Sequence, residues 1–276
     1  MKVFVIGSTG MLGKYVSTYL KEYYDLVEIS RKDIDVSDIK ESELRSKFVH
    51  LNIKEGDVVI NCAGTIKPRV DELGDLNAIL VNSVFPRILA NVCEYYKVKM
   101  IHPTTDCVYT GNKGNYTEND NYDVFDVYGM SKALGEPKNC TVIRTSIIGE
   151  EVNQGRSLIE WVKSEKNKTV FGFTNHFWNG VTCLEFAKIC KKMIDGNLFW
   201  VGTKHLHSNT LNKKELVEII SKTFNLNVTV IEKETDKKCD RSMCTIYKNI
   251  EDFEIPTLEE QLIELNNFSK NLYKQF

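Results

Sequence analysis

Tyr128 and Lys132 stand four residues apart in "DVYGMSKALGE". On a helix that spacing puts both on one face, about 6 Å apart along the axis. A phenol alone titrates near 10 and is a poor acid-base group at neutral pH. An ammonium beside it favours the phenolate and is expected to lower that value. The same lysine can hold a ribose. Exposed helices carry Y-x-x-x-K by chance, so the surroundings decide. One of these is "HPTTDCVYTG", residues 102–111, where the apolar run "VKMI" gives way to a polar cluster. If that run is a strand ending at a ligand crevice, Thr105 can donate a hydrogen bond to a substrate carbonyl beside Tyr128. Cys107 lies two residues past Thr105, so on an extended segment both side chains point the same way. A thiol there is either a small hydrophobe in packing or a base.

A second constellation opens the chain. "VIGSTGMLGKYV" sets Gly7, Gly10 and Gly13 between an apolar run and a helical pattern, with Thr9, Met11 and Leu12 among them. Gly7 allows the tight turn, Gly10 the approach of backbone to a pyrophosphate, and Gly13 close helix–strand packing. The helix N-terminus then offers unpaired N–H groups to phosphates. A glycine-rich turn without a ligand shows the same letters, but the strand before and the helix after favour the dinucleotide loop. The second strand ends at "EISRKDIDVSD". An acidic group there would take the ribose 2′-OH of NADH, whereas Ser30 and Arg31 favour the 2′-phosphate of NADPH. NADPH is the expected cofactor, with NADH as the alternative if Asp33 or Asp35 takes the ribose.

The elements that must position these residues are legible in outline. "KVFVI", "DLVEIS", "DVVINCAG", "VKMIH" and "CTVIRT" are short apolar runs without alternation, separated by helical patterns. They predict a parallel sheet buried on both faces, the doubly wound α/β arrangement of a Rossmann-type domain. "LNAILVNSVFPRILANVCEYY" reads as one long helix interrupted at Pro86. After about residue 148 the texture changes to the amphipathic stretches "SLIEWVKSEK", "LEFAKICKKMI", "KKELVEIISKTF" and "LEEQLIELNNFSKNLY", with "VTVIE" as a strand between them. The expected organisation is a dinucleotide-binding domain over 1–148 and a smaller C-terminal α/β substrate lobe over 149–276, with some elements returning to the first domain.

Composition bounds the classes. The chain has 276 residues and a formal charge of −2, which leaves no basic footprint for nucleic acid. No run of 18 apolar residues exists, and "MKVFVIG" reads as a strand rather than a leader. The eight cysteines form no C-x-x-C pair and no histidine stands at finger spacing, so neither a metal nor a disulfide framework is expected. The expected setting is cytoplasmic, with reduced thiols. Composition leaves room for a homodimer.

Taken together, "GSTGMLG", "NCAG", "LVNSVFPRILA", "TTDCVYTG", "NYTEND", "VYGMSKALGE" and "VIRTSIIG" resemble an extended short-chain dehydrogenase/reductase, and more closely the dTDP-4-dehydrorhamnose reductase family. "FWNGVTCLEFAK" and "CDRSM" stand where that family contacts sugar nucleotide. The resemblance implies a catalytic trio of Thr105, Tyr128 and Lys132, and hydride transfer from NADPH to the C4 keto group of a nucleotide-linked 4-keto-6-deoxy hexose. It places Asn82 near the nicotinamide and lines the adenosine side with the backbone of Cys62, Ala63 and Gly64. Dehydratases of the superfamily carry an acidic pair, "TDE", where this chain has Cys107 in third place, which disfavours elimination. The rhamnose reductases usually carry an aromatic residue there. GDP-fucose synthase and the bifunctional rhamnose epimerase-reductases place a cysteine two positions after the Ser or Thr, which implies a second reading. In it Cys107 exchanges protons α to the ketone, and His176 of "TNHFWNG" is the candidate partner acid. A third reading is a non-catalytic regulatory subunit on the same fold, against which the intact Thr105, Tyr128 and Lys132 argue.

Overall fold

A computed structural model describes residues 1–151 and 157–272. The chain forms two compact units. The first comprises Met1–Val108, Tyr122–Arg144 and Ala187–Lys204; the second comprises Tyr109–Asn121, Thr145–Phe186 and His205–Phe276. Residues 109–121 therefore leave the expected N-terminal domain, and 187–204 return to it.

The first unit is built on a six-stranded sheet. Its strands are β1 (Lys2–Ile6), β2 (Asp25–Ile29), β3 (Val58–Asn61), β4 (Lys99–Thr104), β5 (Thr141–Arg144) and the strand Gly202–His205. The order across the sheet is Gly202–His205, β5, β4, β3, β1, β2. β1 pairs in parallel with β2 on one side and β3 on the other, and β3–β4 and β4–β5 are parallel as well. β3 and β5 are buried along their whole length, as is all of β1 past Lys2. This is why these stretches read as continuous apolar runs rather than as alternation. The chain reverses direction of travel across the sheet at β1, and in such sheets ligands bind outside the carboxyl ends of the strands on either side of that switch.

The helices of this unit include α1 (Met11–Leu20), α2 (Glu41–His50), α3 (Lys67–Leu73), α4 (Asp75–Ile79), α5 (Phe85–Tyr95) and α6 (Val127–Leu134). Between α4 and α5 lies a π-helical turn, Leu80–Val84, whose widened ladder ends with Phe85 N–H donating to Leu80 O. Pro86 explains it: with no N–H, it cannot close the bond to the carbonyl of Asn82. The long helix expected around Pro86 is therefore continuous and locally wider. The span Asp75–Tyr95 is long and apolar enough to suit a membrane by length and composition alone. Its apolar side chains Phe85, Leu89, Val92 and Cys93 instead pack into the core with Phe4, Ile29, Val59 and Met100.

The second unit holds small sheets. His176–Trp178 pairs with Leu211–Asn212 and Cys239–Asp240, and Thr169–Phe173 runs parallel to Thr229–Lys233. The amphipathic stretches form helices Leu158–Ser164, Lys213–Thr223 and Leu258–Leu272 here, and Cys183–Asp195, which passes into the first unit from Ala187. Residues 109–121 belong here because Tyr109 stacks on Tyr116 at 4.1 Å, and Glu118 accepts from His205 N at 2.7 Å, Thr245 Oγ1 at 2.7 Å and Ile246 N at 3.0 Å.

Candidate active site

The glycine loop connects β1 to α1. Gly7 takes φ +77°, a conformation that L side chains rarely adopt, and a Cβ on it would come within 2.7 Å of Ala63 N. Its N–H and that of Ser8 both donate to Ile29 O, at 2.9 and 3.2 Å, which ties the loop to the end of β2. A Cβ on Gly13 would run into the Gly7 carbonyl, whereas one on Gly10 would meet only Gly7 O, at 3.4 Å. Gly10 is the N-cap of α1, no side chain caps it, and the first turn carries no acidic residue. Thr9 is exposed, and Met11 and Leu12 are partly so. An exposed glycine before an uncapped N-terminus fits a pyrophosphate.

Beyond Ile29 the chain turns at once. Asp33 Oδ2 accepts from Ser30 N at 2.9 Å and Ser30 Oγ at 2.7 Å, and these bonds hold its carboxyl below the ordinary range. Arg31 Nε lies 3.2 Å from Asp35 Oδ2 in an exposed pair. Arg31 and Asp33, the two readings of the nucleotide, thus stand in one turn beside the loop.

The segment after β3 forms another wall. Asn61 Oδ1 accepts from Ala63 N at 3.2 Å, and Asn61 Nδ2 lies 3.2 Å from His102 Nδ1. Burial pushes the Cys62 thiol far above its ordinary value, so it is inert packing. Gly64 is exposed, and a Cβ on it would come within 2.8 Å of Lys132 Nζ and 3.5 Å of Asn82 Oδ1. Asn82 stitches this segment to α6. Its Oδ1 accepts from Thr65 N at 2.9 Å, and its Nδ2 donates to Thr65 O at 2.9 Å and Ser131 Oγ at 3.2 Å. The amide expected near a nicotinamide is therefore committed to the scaffold that seats Lys132.

Helix α6 starts where Asp126 Oδ1 accepts from Gly129 N at 3.0 Å, an N-cap. It ends at Gly135, where any Cβ would collide with the Asn82 carbonyl. The Thr105 hydroxyl donates to Asp106 Oδ1 at 3.1 Å and lies near enough to the Tyr128 phenol to favour its ionised form. The strand does not continue as expected past Thr105. Asp106–Val108 is a 3₁₀ turn, and Cys107 N donates to Thr105 Oγ1 at 3.1 Å. With the backbone turned rather than extended here, strand alternation does not set Thr105 and Cys107 on one side, contrary to the expectation from the sequence. The thiol nevertheless sits close enough to act on the phenol electrostatically.

The expected direction for Tyr128 is also reversed. Burial, then the neighbouring Cys107, push the phenol above its ordinary value, against the opposing influence of the Thr105 hydroxyl. Tyr128 stays protonated at neutral pH, as a proton donor must. Burial pulls Lys132 down to about 8, and the charge of Glu136 opposes it. His102, on β4, falls to about 3 through burial and the charge of Lys132, and is neutral.

Sequence reasoning missed Asn61, His102, Ser131, Glu136 and Arg144. For Glu136 and Arg144 a signal existed: an acid eight residues past Tyr128, and an arginine inside the apolar run "TVIRT". In the second unit, His176 Nε2 lies 2.7 Å from Thr235 Oγ1. Asn179 bonds both the N–H and the carbonyl of Met243, and Arg241 Nε donates to Tyr109 O at 3.0 Å. The two C-terminal motifs therefore help to hold that unit together. Among the described residues no cluster of ligating side chains could hold a metal ion, and the eight cysteines form no disulfide.

A family model described as "RmlD substrate binding domain" matches residues 1–232. A dTDP-4-keto-6-deoxy-D-glucose reductase of Streptomyces niveus is 30% identical over 151 residues, 51% of each chain. The spore coat polysaccharide biosynthesis protein SpsK of Bacillus subtilis is 31% identical over 52% of each. The chain thus spans about half the length of these two curated relatives. A probable low-salt glycan biosynthesis reductase of Haloferax volcanii matches end to end, at 26% identity over 96% of this chain and 97% of that one. Among solved structures, a dTDP-4-dehydrorhamnose reductase of Bacillus anthracis in complex with NADP superposes with a TM-score of 0.78. It is 20% identical and covers 96% of this chain and 98% of its own, a likeness of fold.

Proposed function

Since the chain belongs to the RmlD substrate binding domain family, as an extended short-chain dehydrogenase/reductase of the dTDP-4-dehydrorhamnose reductase type, we propose that it is an NADPH-dependent reductase. Its substrate is the C4 ketone of a nucleotide-linked 4-keto-6-deoxy hexose. The observation that supports this reading is that Thr105, just past the end of β4, and Tyr128 and Lys132, four residues apart on α6, stand in one unit with the glycine loop, Lys132 Nζ within 2.8 Å of where a Cβ on Gly64 would lie.

The cofactor supplies the hydride when bound. Gly7, Gly10 and the N-terminus of α1 would hold its pyrophosphate, Arg31 its 2′-phosphate, and Lys132 its nicotinamide ribose. Thr105 orients the substrate carbonyl beside Tyr128 with its hydroxyl. Tyr128 donates its proton to the carbonyl oxygen, a step that general acid catalysis typically accelerates ~10²–10⁴-fold. The Lys132 ammonium stabilises the negative charge left on the phenol. The test is purified protein with NADPH and a panel of dTDP-, UDP- and GDP-linked 4-keto-6-deoxy sugars, followed by absorbance at the reduced nicotinamide band and product NMR. Oxidation of NADPH with a 4-hydroxy product is expected. No turnover on any member would favour a regulatory subunit.

A second reading keeps the reduction and adds proton exchange at C3 and C5. It is favoured by the Cys107 thiol lying beside Tyr128. A reaction run in D₂O decides it. Deuterium at C3 and C5 that disappears in Cys107→Ser, with reduction of a pre-epimerised substrate retained, supports epimerisation. A reduced product without deuterium leaves Cys107 as packing.

A further inference from the structure

We propose that His102 is a positioning residue for the nucleotide wall: held between Asn61 and a buried water that it shares with Thr104, its ring fixes Asn61 and, through Asn61, the turn Cys62–Gly64. That this turn walls a nucleotide site rests on the reading above; the hydrogen bonds that shape the turn do not.

The register of the sheet brings the two side chains together. Ile6 lies beside Ile29 on one strand and Asn61 on the other, and His102 lies beside Val142. One step beyond the Ile60–Ile101 pairing, Asn61 and His102 are themselves neighbours. On this face Phe4, Ile6, Ile29, Val59, Met100 and Val142 join one core with Phe85 and Leu89 of α5. Asn61 and His102, 0% and 1% exposed, are thus a polar pair in an otherwise apolar row. Burying them costs desolvation that an apolar pair would avoid. Their bonds supply the reason for keeping them. Asn61 Oδ1 accepts from Ala63 N at 3.2 Å, which leaves Nδ2 to donate to His102 Nδ1 at 3.2 Å. Only one orientation of the amide makes both bonds. The turn they shape is confined on two sides. A Cβ on Gly7 would come within 2.7 Å of Ala63 N, and one on Gly64 within 2.8 Å of Lys132 Nζ.

The other ring nitrogen points to the water. Burial holds His102 neutral, down to about 3. With Nδ1 accepting, a neutral ring carries its proton on Nε2. Among the described residues no group lies within hydrogen-bond reach of the buried Nε2, and the same is true of the buried Thr104 Oγ1. Both residues lie on β4, two apart, so their side chains share one face. They start about 7 Å apart along the strand, a distance that one hydrogen-bonded water bridges. The Gly135 carbonyl, which also acts on the ring, gives that water a third partner, the usual number for a buried water. Arg144, beside Thr104 on β5, instead grips Glu136, Nε to Oε1 at 2.9 Å and Nη2 to Oε2 at 2.5 Å. Tyr122 and Thr203 donate to that same carboxylate.

The ring, the water and the turn are tested separately. In ¹⁵N-histidine NMR of the full chain, with His102 assigned by its loss in H102N, the proton is expected on Nε2. A proton on Nδ1 would overturn the lock on Asn61. Thr104→Val keeps the shape and removes the hydroxyl. A bound water would lose a partner, so the urea midpoint should fall. An unchanged or higher midpoint, the outcome for a dry unsatisfied hydroxyl replaced by a methyl, would overturn the water. For the turn, H102F keeps a ring without nitrogens, whereas H102N keeps an acceptor for Asn61. NADPH affinity by fluorescence titration should weaken about three- to tenfold in H102F, the worth of one hydrogen bond, and recover in H102N. Equal losses in both would reduce His102 to packing. Should H102F fail to fold, Asn61→Ala removes the same link from the other side, and native NADPH affinity in it would overturn the positioning role. A native protein that bound no nucleotide would sink the nucleotide reading, while the tautomer and the urea midpoint would still judge the lock.

Discussion

The glycine loop places its groups with backbone, within seven residues: a left-handed Gly7, an unobstructed Gly10 and a Gly13 packed against the Gly7 carbonyl. Around Lys132 the groups are side chains gathered from residues 82 to 203. They include the Asn82 amide, the Thr105 hydroxyl, the Tyr128 phenol and the Glu136 carboxylate with its three donors. The first half binds by shape and dipole, which need only a local fold. The second works by charge and proton position, which depend on what surrounds each group. Substitutions should therefore separate the halves, binding failing with one and chemistry with the other.

The largest separation is expected from Tyr128→Phe. It keeps the ring and removes the proton donor, so kcat should drop ~10²–10⁴-fold. NADPH affinity, measured by fluorescence titration, should be unchanged because the glycine loop is untouched. Turnover within about threefold of the native protein would take Tyr128 out of the chemistry and collapse the contrast.

Arg31→Ala is the converse. An exposed pair such as Arg31–Asp35 is worth little, about 0–1 kcal/mol, so the guanidinium can exchange Asp35 for a 2′-phosphate. Losing that charge-assisted contact should weaken NADPH about ten- to a hundredfold, with NADH little affected and kcat at saturation retained. Equal losses for both nucleotides would assign the specificity elsewhere, with Asp33 the first candidate.

pH sharpens the comparison next. Below about 8 Lys132 is charged, and it loses its proton as pH rises through that value. Tyr128, raised by burial, remains an acid across the range. Turnover should therefore hold steady up to the Lys132 midpoint and then decline about tenfold per unit, while pyrophosphate binding by the loop barely changes. A flat profile from about pH 7 to 9.5 would mean that the charge of Lys132 is not used in the reaction.

The smallest effect lies inside the loop itself. Gly10→Ala adds a methyl with only one ordinary contact, so the protein should fold and melt like the native one, with NADPH weakened a few-fold by crowding. Gly13→Ala pushes a methyl into the Gly7 carbonyl and should lose about 1–3 kcal/mol in urea unfolding. Similar unfolding curves for the two would show that the loop relaxes more easily than its contacts indicate.

Much of the scaffold was legible because it follows from local rules. The apolar runs at Lys2–Ile6, Val58–Asn61 and Thr141–Arg144 became central parallel strands, since a strand covered on both faces has no polar side to show. Pro86 marked an interruption correctly, but its consequence, a π turn that presents the Asn82 carbonyl to Gly135, needed the packing of α6 against the long helix. The split of the chain was less legible. Residues 109–121 belong to the second unit through Glu118, whose partners lie at His205, Thr245 and Ile246. No local pattern encodes contacts that distant.

The sequence by itself determined the parallel sheet, the glycine loop and the four-residue spacing of Tyr128 and Lys132, because each is a matter of periodicity or of backbone freedom within one turn. Only the tertiary structure decided how those residues are tuned. The phenol is raised rather than lowered, the lysine brought to about 8, Cys107 turned onto a 3₁₀ corner, and Glu136 locked between Arg144, Tyr122 and Thr203. Desolvation and charge are properties of a residue's surroundings, and those surroundings come from parts of the chain far away in sequence.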